Sequence, residues 1–165
     1  MDRVDTSTLV GVTAWTDSVT KEFGKIDILA SCVGAHLPEG FSLFTKQDPA
    51  TWRGIMDAQL MSFIYLSRAV LPQMIAQNWG RVVNISGKSE PERLLTATSA
   101  KAAIHAWSKG LSREVGKYGI TVNSIPPGRI MSEQIRRKYP PEFRAEQSAR
   151  EIPVGRYGAP EELAA

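Results

Sequence analysis

Three glycines, each between a helix-like segment and a run of β-branched residues, constrain the fold of this chain more than any other feature. They are Gly24 in EFGKIDILASC, Gly80 in NWGRVVNIS and Gly119 in KYGITVNSI. Glycine suits the left-handed backbone position just past a helix end, and β-branched residues favour the strand that follows. The sequence therefore predicts a regular alternation of helices and strands.

The apolar runs after these glycines are nearly continuous, as is typical of parallel strands that are covered on both faces. We predict strands over residues 26–32, 81–86 and 120–125, with helices at about 51–77 and 97–117 between them. Helices of this length suit right-handed crossovers between parallel strands. The predicted fold is a three-layer α/β arrangement, a doubly wound parallel sheet of the Rossmann type, present as a single partial domain over the whole chain.

The second of these helices carries one apolar stripe at helical spacing. The stripe consists of Ala100, Ile104, Trp107, Leu111 and Val115. A column of small residues, made of Ala102, Ala106 and Gly110, runs beside it. An alanine-rich crossover helix that packs on its own sheet is favoured over a contact between subunits made by this column alone.

Composition narrows the class of protein. With 165 residues, 42% of them hydrophobic and 22% charged, the chain is long enough to bury a core and is typical of soluble folded proteins. Its apolar runs are too short to span a bilayer, so a cytoplasmic protein without membrane contact is expected. The net charge of +3 comes from basic residues scattered among acids, which argues against a nucleic-acid partner.

Cysteine and histidine indicate neither a disulfide nor a metal site. His36 and His105 are too few and too far from any cluster of acids or cysteines to suggest metal ligands. Cys32 has no second cysteine to pair with. Because it lies inside an apolar run, it is interpreted as a small core residue.

The secondary-structure elements at both ends of the chain are expected to be incomplete. The last residues, GAPEELAA, form a helix start with a proline and two glutamates but no helix body, so further chain is expected there.

The stretch over 132–158 mixes short helical patterns with turn residues. We interpret it as an excursion outside the sheet, of the kind that covers a site.

Ligands of an open parallel sheet bind outside the carboxyl ends of its strands. The segments that follow the predicted strand ends are residues 5–7, 31–34, 86–89 and 126–132. We therefore expect a binding site to draw on these four segments.

The order and spacing of several motifs resemble those of the short-chain dehydrogenase/reductase family over nearly the whole chain, from about Val4 to Ala165. DILASCVG is similar to the family's DILVNNAG segment, and GITVNSIPPGRIMS is similar to its VNxxxPGxxxT signature. RVVNIS and the helix around Lys101 resemble its catalytic half. The resemblance implies NAD or NADP as cofactor, hydride transfer to or from a small carbonyl or alcohol, and a homo-oligomer.

The resemblance assigns cofactor contacts residue by residue in the first part of the chain. Asp5, at the end of a probable strand, resembles the aspartate that contacts adenine. Cys32, Val33 and Gly34 stand where the family lines the adenosine ribose. Lys101 resembles the lysine that binds ribose and, in the family, lowers the pKa of the catalytic tyrosine.

The resemblance assigns further cofactor contacts after the third predicted strand. Pro127 and Gly128 would shape a turn against the nicotinamide. The amide of Ile130 would face the carboxamide, and Ser132 replaces a threonine hydroxyl.

The catalytic pattern of the family is broken in this chain. In the family a tyrosine four residues before the lysine transfers the proton, a serine holds the substrate oxygen, and an asparagine sustains a water-linked proton relay. Here Ala97 stands four residues before Lys101, Ser86 or Gly87 occupies the serine region, and Gln59 replaces the asparagine. The implied catalytic set is therefore Ser86, Lys101 and Gln59, without a phenol.

Two chemical readings stay open. Lys101 keeps only its ribose-binding role, or another group supplies the proton. The candidates are Ser86, Lys88 or Ser89, from a loop before Lys101 that is a few residues shorter than is usual in the family, and Tyr139. A solvated loop side chain is favoured for Lys88 and a packing role for Tyr139. The sequence therefore predicts an NAD(P)-dependent oxidoreductase, with a non-catalytic cofactor-sensing or interaction subunit as the alternative.

The glycine-rich turn that grips the cofactor's phosphates in this family has no counterpart in the chain. In the family it belongs to strands and helices that precede the segment at Asp5. We therefore expect the strand at Ile26 to be an exposed edge, and this chain alone to bind dinucleotide weakly or not at all unless a partner covers that edge. The choice between NAD and NADP stays open, because in the family the residue that reads the ribose 2′ position lies in the second strand, which also precedes the segment at Asp5.

Overall fold

The computed structural model describes residues 4–34, 46, 48–87 and 96–164. The chain divides after Pro126 into two compact units. The expectation of a single domain stays a prediction. None of the helices within the described ranges is long and apolar enough to cross a bilayer.

The first unit alternates helices and strands, as predicted. Its elements in chain order are α1 (Leu9–Phe23), β1 (Ile28–Ser31), α2 (Pro49–Met56), a π-helical turn (Asp57–Met61), α3 (Ser62–Ala76), β2 (Gly80–Ile85), α4 (Thr96–Val115), a 3-10 turn (Gly116–Tyr118) and β3 (Ile120–Ile125). The long helix expected near 51–77 is thus α2 and α3 joined through the π-helical turn. The helix expected near 97–117 is α4 with the 3-10 turn.

The three strands form a parallel sheet in the order β1, β2, β3. Ser31 of β1 is in register with Asn84 of β2, and Ile85 of β2 is in register with Ile125 of β3. Because all three strands run in one direction, their carboxyl ends meet at one edge of the sheet. The α/β fold with a parallel sheet is confirmed, in its partial form.

Burial along β3 differs from the prediction of strands covered on both faces. Ile120 and Val122 are buried, whereas Thr121 and Asn123 between them are exposed. The run ITVNSI carries polar side chains at alternate positions, and alternate side chains of a strand point to opposite faces. In the part of the chain that the structure describes, one face of β3 is therefore covered and the other is open.

The predicted glycine stops hold at two of three places. Gly24 and Gly119 have positive φ angles of 84° and 70°, and the amide of Gly24 donates to the carbonyl of Thr20. Before β2 the left-handed residue is Asn78, with φ 54°. Gly80 instead begins β2, where a Cβ would lie 2.5 Å from the Sδ of the fully buried Met74. This glycine is required by close packing of α3 on β2.

The core lies between the sheet and the helices that pack on it. Its fully buried side chains include Phe63, Met74, Val12, Val70, Val82 and Val115. Phe63 of α3 meets the ring edge of Trp107 of α4 at a centroid distance of 5.4 Å. This contact joins α3 to α4.

The apolar stripe of α4 faces this core as predicted. Ala100, Ile104 and Val115 are buried, and Trp107 and Leu111 pack against the core cluster. The column of small residues behaves differently, because Ala106 and Gly110 are exposed. The helix packs on its own sheet as expected, through its contact with β3, and the stripe takes the sheet-facing side.

β1 lies at the edge of the described sheet and is paired only with β2 there. Ile28 of this strand is 59% exposed. The prediction of an exposed edge strand near Ile26 is confirmed for the described residues.

The second unit contains three short helices: α5 (Glu133–Lys138), α6 (Pro141–Glu151) and α7 (Pro160–Ala164). Its extended segments meet where Gly158 bridges Ile130. The predicted helix start near the end of the chain is present as α7, where Glu162 accepts from the amide of Ala159. Arg156 forms a two-pronged ion pair with Glu162 and, with the Ala159 amide, holds the pKa of that carboxyl at about 2.

Candidate active site

The carboxyl ends of the three strands bring together parts of three of the four segments that the sequence singled out, and residues 5–7 follow none of these strands. Cys32, Val33 and Gly34 follow β1, and Ser86 and Gly87 follow β2. The amide of Ser86 donates to the carbonyl of Ile125 over 2.9 Å, which continues the β2–β3 pairing past the strand end. We call this edge the rim; its described members are residues 32–34, 86–87 and 126.

Lys101 reaches the rim from the second turn of α4. A Cβ built on Gly87 would lie 2.7 Å from its Nζ and 2.8 Å from its Cδ, so the lysine side chain lies directly against this glycine. Burial lowers the pKa of the Lys101 amine below its ordinary value of 10.5. The sequence-predicted lysine and the end of β2 are therefore brought together.

Ser86 is held by a second side chain from the same helix. Its hydroxyl lies 2.8 Å from Nε2 of His105, which follows Lys101 by four residues. Ser86 is buried, whereas His105 is partly exposed. Residues four apart share one helix face, so Lys101 and His105 project from α4 on the same side.

Sequence reasoning considered His105 only as a metal ligand and missed this contact. The signal that could have found it is the four-residue spacing from Lys101. This spacing places an imidazole on the face already assigned to the site.

Gln59 lies in the π-helical turn between α2 and α3, where the amide of Ser62 donates to the carbonyl of Asp57. Its side chain is buried, and the turn packs against α4. A π-helical turn widens the backbone locally and is common at functional sites. The sequence predicted one continuous helix here, since the segment DAQLM contains neither glycine nor proline.

Two assignments near the amino-terminal side need correction. Val4 and Asp5 lie in a loop and not at the end of a strand. The Asp5 carboxylate accepts hydrogen bonds from the hydroxyl and the amide of Ser7, which lower its pKa. Cys32 is exposed and not a core residue, because β1 ends at Ser31 and Cys32 already belongs to the rim.

The candidate proton donors are only partly described. Lys88 and Ser89 lie outside the described residues, as does His36. Tyr139, in the second unit, stacks on Phe143 at a centroid distance of 5.1 Å, consistent with the packing role favoured for it. Ala97, in the first turn of α4, is partly buried.

The remaining predicted cofactor residues belong to the second unit. Gly158 donates to the carbonyl of Arg129, and Met131 donates to the carbonyl of Gly158. These bonds use the neighbours of Ile130 and not its own amide. The Ser132 hydroxyl accepts from the amide of Ile135 and caps α5. Pro127 and Gly128 form the irregular segment that precedes this pairing.

Comparison with known proteins bears directly on this arrangement. A family model described as enoyl-(acyl carrier protein) reductase matches residues 3–165. Acetoacetyl-CoA reductase of Cupriavidus necator is 32% identical over 151 residues, which are 90% of this chain and 59% of that protein. A 3-oxoacyl-(acyl-carrier-protein) reductase of Vibrio cholerae is 31% identical over 150 residues, 89% of this chain and 59% of that protein.

The chain belongs to the short-chain dehydrogenase/reductase family. A solved structure of 7α-hydroxysteroid dehydrogenase, complexed with NADH and 7-oxo glycochenodeoxycholic acid, superposes with a TM-score of 0.86 at 26% identity. It is matched over 99% of this chain and 63% of its own. The chain thus spans less than two thirds of the length of each of these relatives.

The rim of this chain departs from the catalytic pattern of the short-chain dehydrogenase/reductase family in the serine region. Gly87 is pressed against Lys101, so a side chain at this position would occupy the space that Nζ and Cδ now fill. Ser86, by contrast, is buried, and its hydroxyl is hydrogen-bonded to His105. Of the two residues that the sequence left open, Ser86 is the one that carries a hydroxyl.

Gly87→Ser is expected to weaken the site, although it places a second serine where the family carries one. The new Cβ would force Lys101 out of its position, because contacts of 2.7–2.8 Å require one partner to move. We expect affinity for NAD(P)H to fall about tenfold, the loss of one charge-assisted hydrogen bond. Gly87→Ala is the matched control, since it carries the same Cβ without the hydroxyl. Higher turnover in Gly87→Ser alone would contradict this assignment.

Proposed function

We propose that the complete protein is an NAD(P)-dependent oxidoreductase that interconverts a small carbonyl compound and the corresponding alcohol. The observation that carries the proposal is the position of the Lys101 amine at the rim, against Gly87, the residue that follows the buried Ser86. The names of the relatives support it, because a β-keto thioester reductase and a hydroxysteroid dehydrogenase both act on a ketone or secondary alcohol.

The rim residues fit part of a dinucleotide. The close approach of Lys101 to the Cβ-less Gly87 leaves an ammonium facing a backbone without a side chain, which suits ribose hydroxyls. We assign ribose binding to Lys101 and the lining of the adenosine half to Cys32, Val33 and Gly34. Asp5 is proposed to contact adenine.

By the family resemblance, we also propose which residues contact the nicotinamide. Pro127 and Gly128 are assigned the turn, Ile130 the amide that meets the carboxamide, and Ser132 the hydroxyl. Cytoplasmic location and assembly as a homo-oligomer are proposed on the same basis.

In the proposed reaction the nicotinamide, when bound, supplies or accepts the hydride. Ser86 donates a hydrogen bond to the substrate oxygen and fixes its orientation at the end of β2. Lys101 holds the ribose and adds positive charge near the oxygen that becomes negative. Gln59 is assigned to the water-linked relay, since its π-helical turn packs against the helix that carries Lys101.

The test is a titration of the complete natural polypeptide with NADH and with NADPH, followed by assays in both directions. The panel contains β-keto thioesters, cyclic ketones and their alcohols. We expect saturable binding of one nucleotide and turnover of at least one substrate class. Saturable binding without any turnover would reject the enzyme and support a cofactor-sensing subunit, the reading that Ala97 in place of tyrosine kept open.

A further inference from the structure

The group that gives its proton to the substrate oxygen is still unassigned, because Ala97 stands in place of the family's tyrosine. We propose that Ser86 and His105 form a proton relay that replaces it, with Ser86 touching the substrate oxygen and His105 acting through Ser86. This inference rests on the proposed function. It assigns a role to a histidine that the family's catalytic pattern does not include.

The geometry of the pair is that of a hydroxyl and its acid–base partner. The 2.8 Å separation of Ser86 Oγ and His105 Nε2 is within the range of a strong hydrogen bond. The backbone of Ser86 is fixed at the rim, because its amide donates a hydrogen bond to the carbonyl of Ile125. The pair is therefore positioned from two elements, the end of β2 and the face of α4.

Burial differs between the partners in the way that a relay requires. Ser86 is only 3% exposed, so water does not compete strongly for its hydroxyl. His105 is partly exposed, so its ring can exchange protons with solvent. The direction of the Oγ–Nε2 hydrogen bond depends on the protonation of the imidazole, and a relay uses both directions.

With this relay the reduction balances in protons and in electrons. Hydride addition to the carbonyl carbon breaks the C=O π bond and leaves its electron pair on oxygen. The Ser86 hydroxyl gives its proton to that oxygen, while the protonated His105 gives the Nε2 proton to Ser86 Oγ. The products are the alcohol, an intact serine and a neutral imidazole, which solvent reprotonates. Alcohol oxidation runs the same steps backwards, with neutral His105 as the final acceptor.

A serine alone does not complete this step at neutral pH. Its hydroxyl is a weak acid, and serine hydroxyls in enzymes act through an adjacent base. Among the described residues that sequence analysis proposed as donors, Tyr139 is stacked on Phe143 within the second unit. His105 is the group that the structure bonds to the Ser86 hydroxyl.

The test separates proton transfer from simple support of Ser86. His105→Gln keeps an amide that can hydrogen-bond to the hydroxyl but cannot carry a proton. In the complete protein we expect this variant to lose about a hundredfold in kcat, the lower range of general acid–base catalysis, with unchanged Kd for NAD(P)H. Free imidazole should restore part of the activity of His105→Ala. Lys109→Gln, an exposed change one turn further along α4, is the matched control and should match wild type.

A second readout does not depend on turnover. In ¹⁵N spectra of the imidazole, Ser86→Ala should shift the Nε2 resonance of His105 and leave that of His36 unchanged. An unshifted His105 resonance would overturn the pair, and wild-type kcat in His105→Gln would overturn the relay while leaving the proposed function intact. Absence of turnover in the wild-type protein would instead reject the proposed function, and the relay with it.

Discussion

Lys101→Met is expected to lower the affinity of the complete protein for NAD(P)H by about ten- to a hundredfold. The expected loss corresponds to about 1.5–3 kcal/mol, the usual contribution of a hydrogen bond to a charged group. Methionine keeps most of the length of the side chain over Gly87 but removes the ammonium. The affinity is measured by titration of wild type and variant with the reduced cofactor.

The same substitution is expected to raise the free energy of unfolding at neutral pH. Burial lowers the pKa of Lys101 in the folded state below the 10.5 of an ordinary lysine, so folding carries the cost of a partly desolvated charge. In the pH window between these two values the unfolded state binds more protons. Wild-type stability therefore rises relative to Lys101→Met as the pH increases through that window.

Lys109→Met serves as the control for both measurements, since Lys109 is exposed on the same helix. It should change neither cofactor affinity nor stability by a measurable amount. A Lys101→Met protein that is less stable than wild type at neutral pH would contradict the burial cost. Unchanged affinity would contradict the ribose role.

Phe63→Ala is expected to destabilise the first unit by about 3–5 kcal/mol, the range for truncation of a buried phenylalanine. Phe63 is fully buried directly after the π-helical turn, and it packs edge-on against Trp107 of α4. Its loss leaves a cavity between α3, which follows the π-helical turn with Gln59, and α4, which carries Lys101. A change of this size is a large part of the stability of an ordinary domain.

The measurement is urea unfolding of the complete protein followed by tryptophan fluorescence, because Trp107 reports on this contact. Phe63→Leu should lose less and remain folded if the full truncation does not. Phe23→Ala is the control, since Phe23 is 69% exposed at the end of α1 and should change stability little. Equal losses at Phe63 and Phe23 would contradict the described core.

The alternation of helices and strands was predictable because it depends on local patterns. The glycine stops at Gly24 and Gly119 and the apolar stripe of α4 are set by residues within a few turns of one another. Gly80 shows where such reasoning ends. Its glycine is required by Met74 of the preceding helix, a packing contact that the residues around Gly80 do not reveal.

The candidate site was predicted in position but only partly in composition. Parallel strands made it certain that the segments at Cys32 and Ser86 would share an edge, and the helix placed Lys101 there. The contact between Ser86 and His105 depends on how far α4 is rotated about its axis where it packs on β3. The π-helical turn at Gln59 depends on the packing of its segment against α4, and neither property has a local sequence signal.

The most direct test of the proposed reaction is transfer of deuterium from reduced nicotinamide labelled at C4 to a carbonyl substrate of the complete protein. We expect deuterium on the carbinol carbon of the product, with a rate that falls about a hundredfold in His105→Gln. Cofactor that binds saturably but delivers no deuterium to any substrate would contradict it.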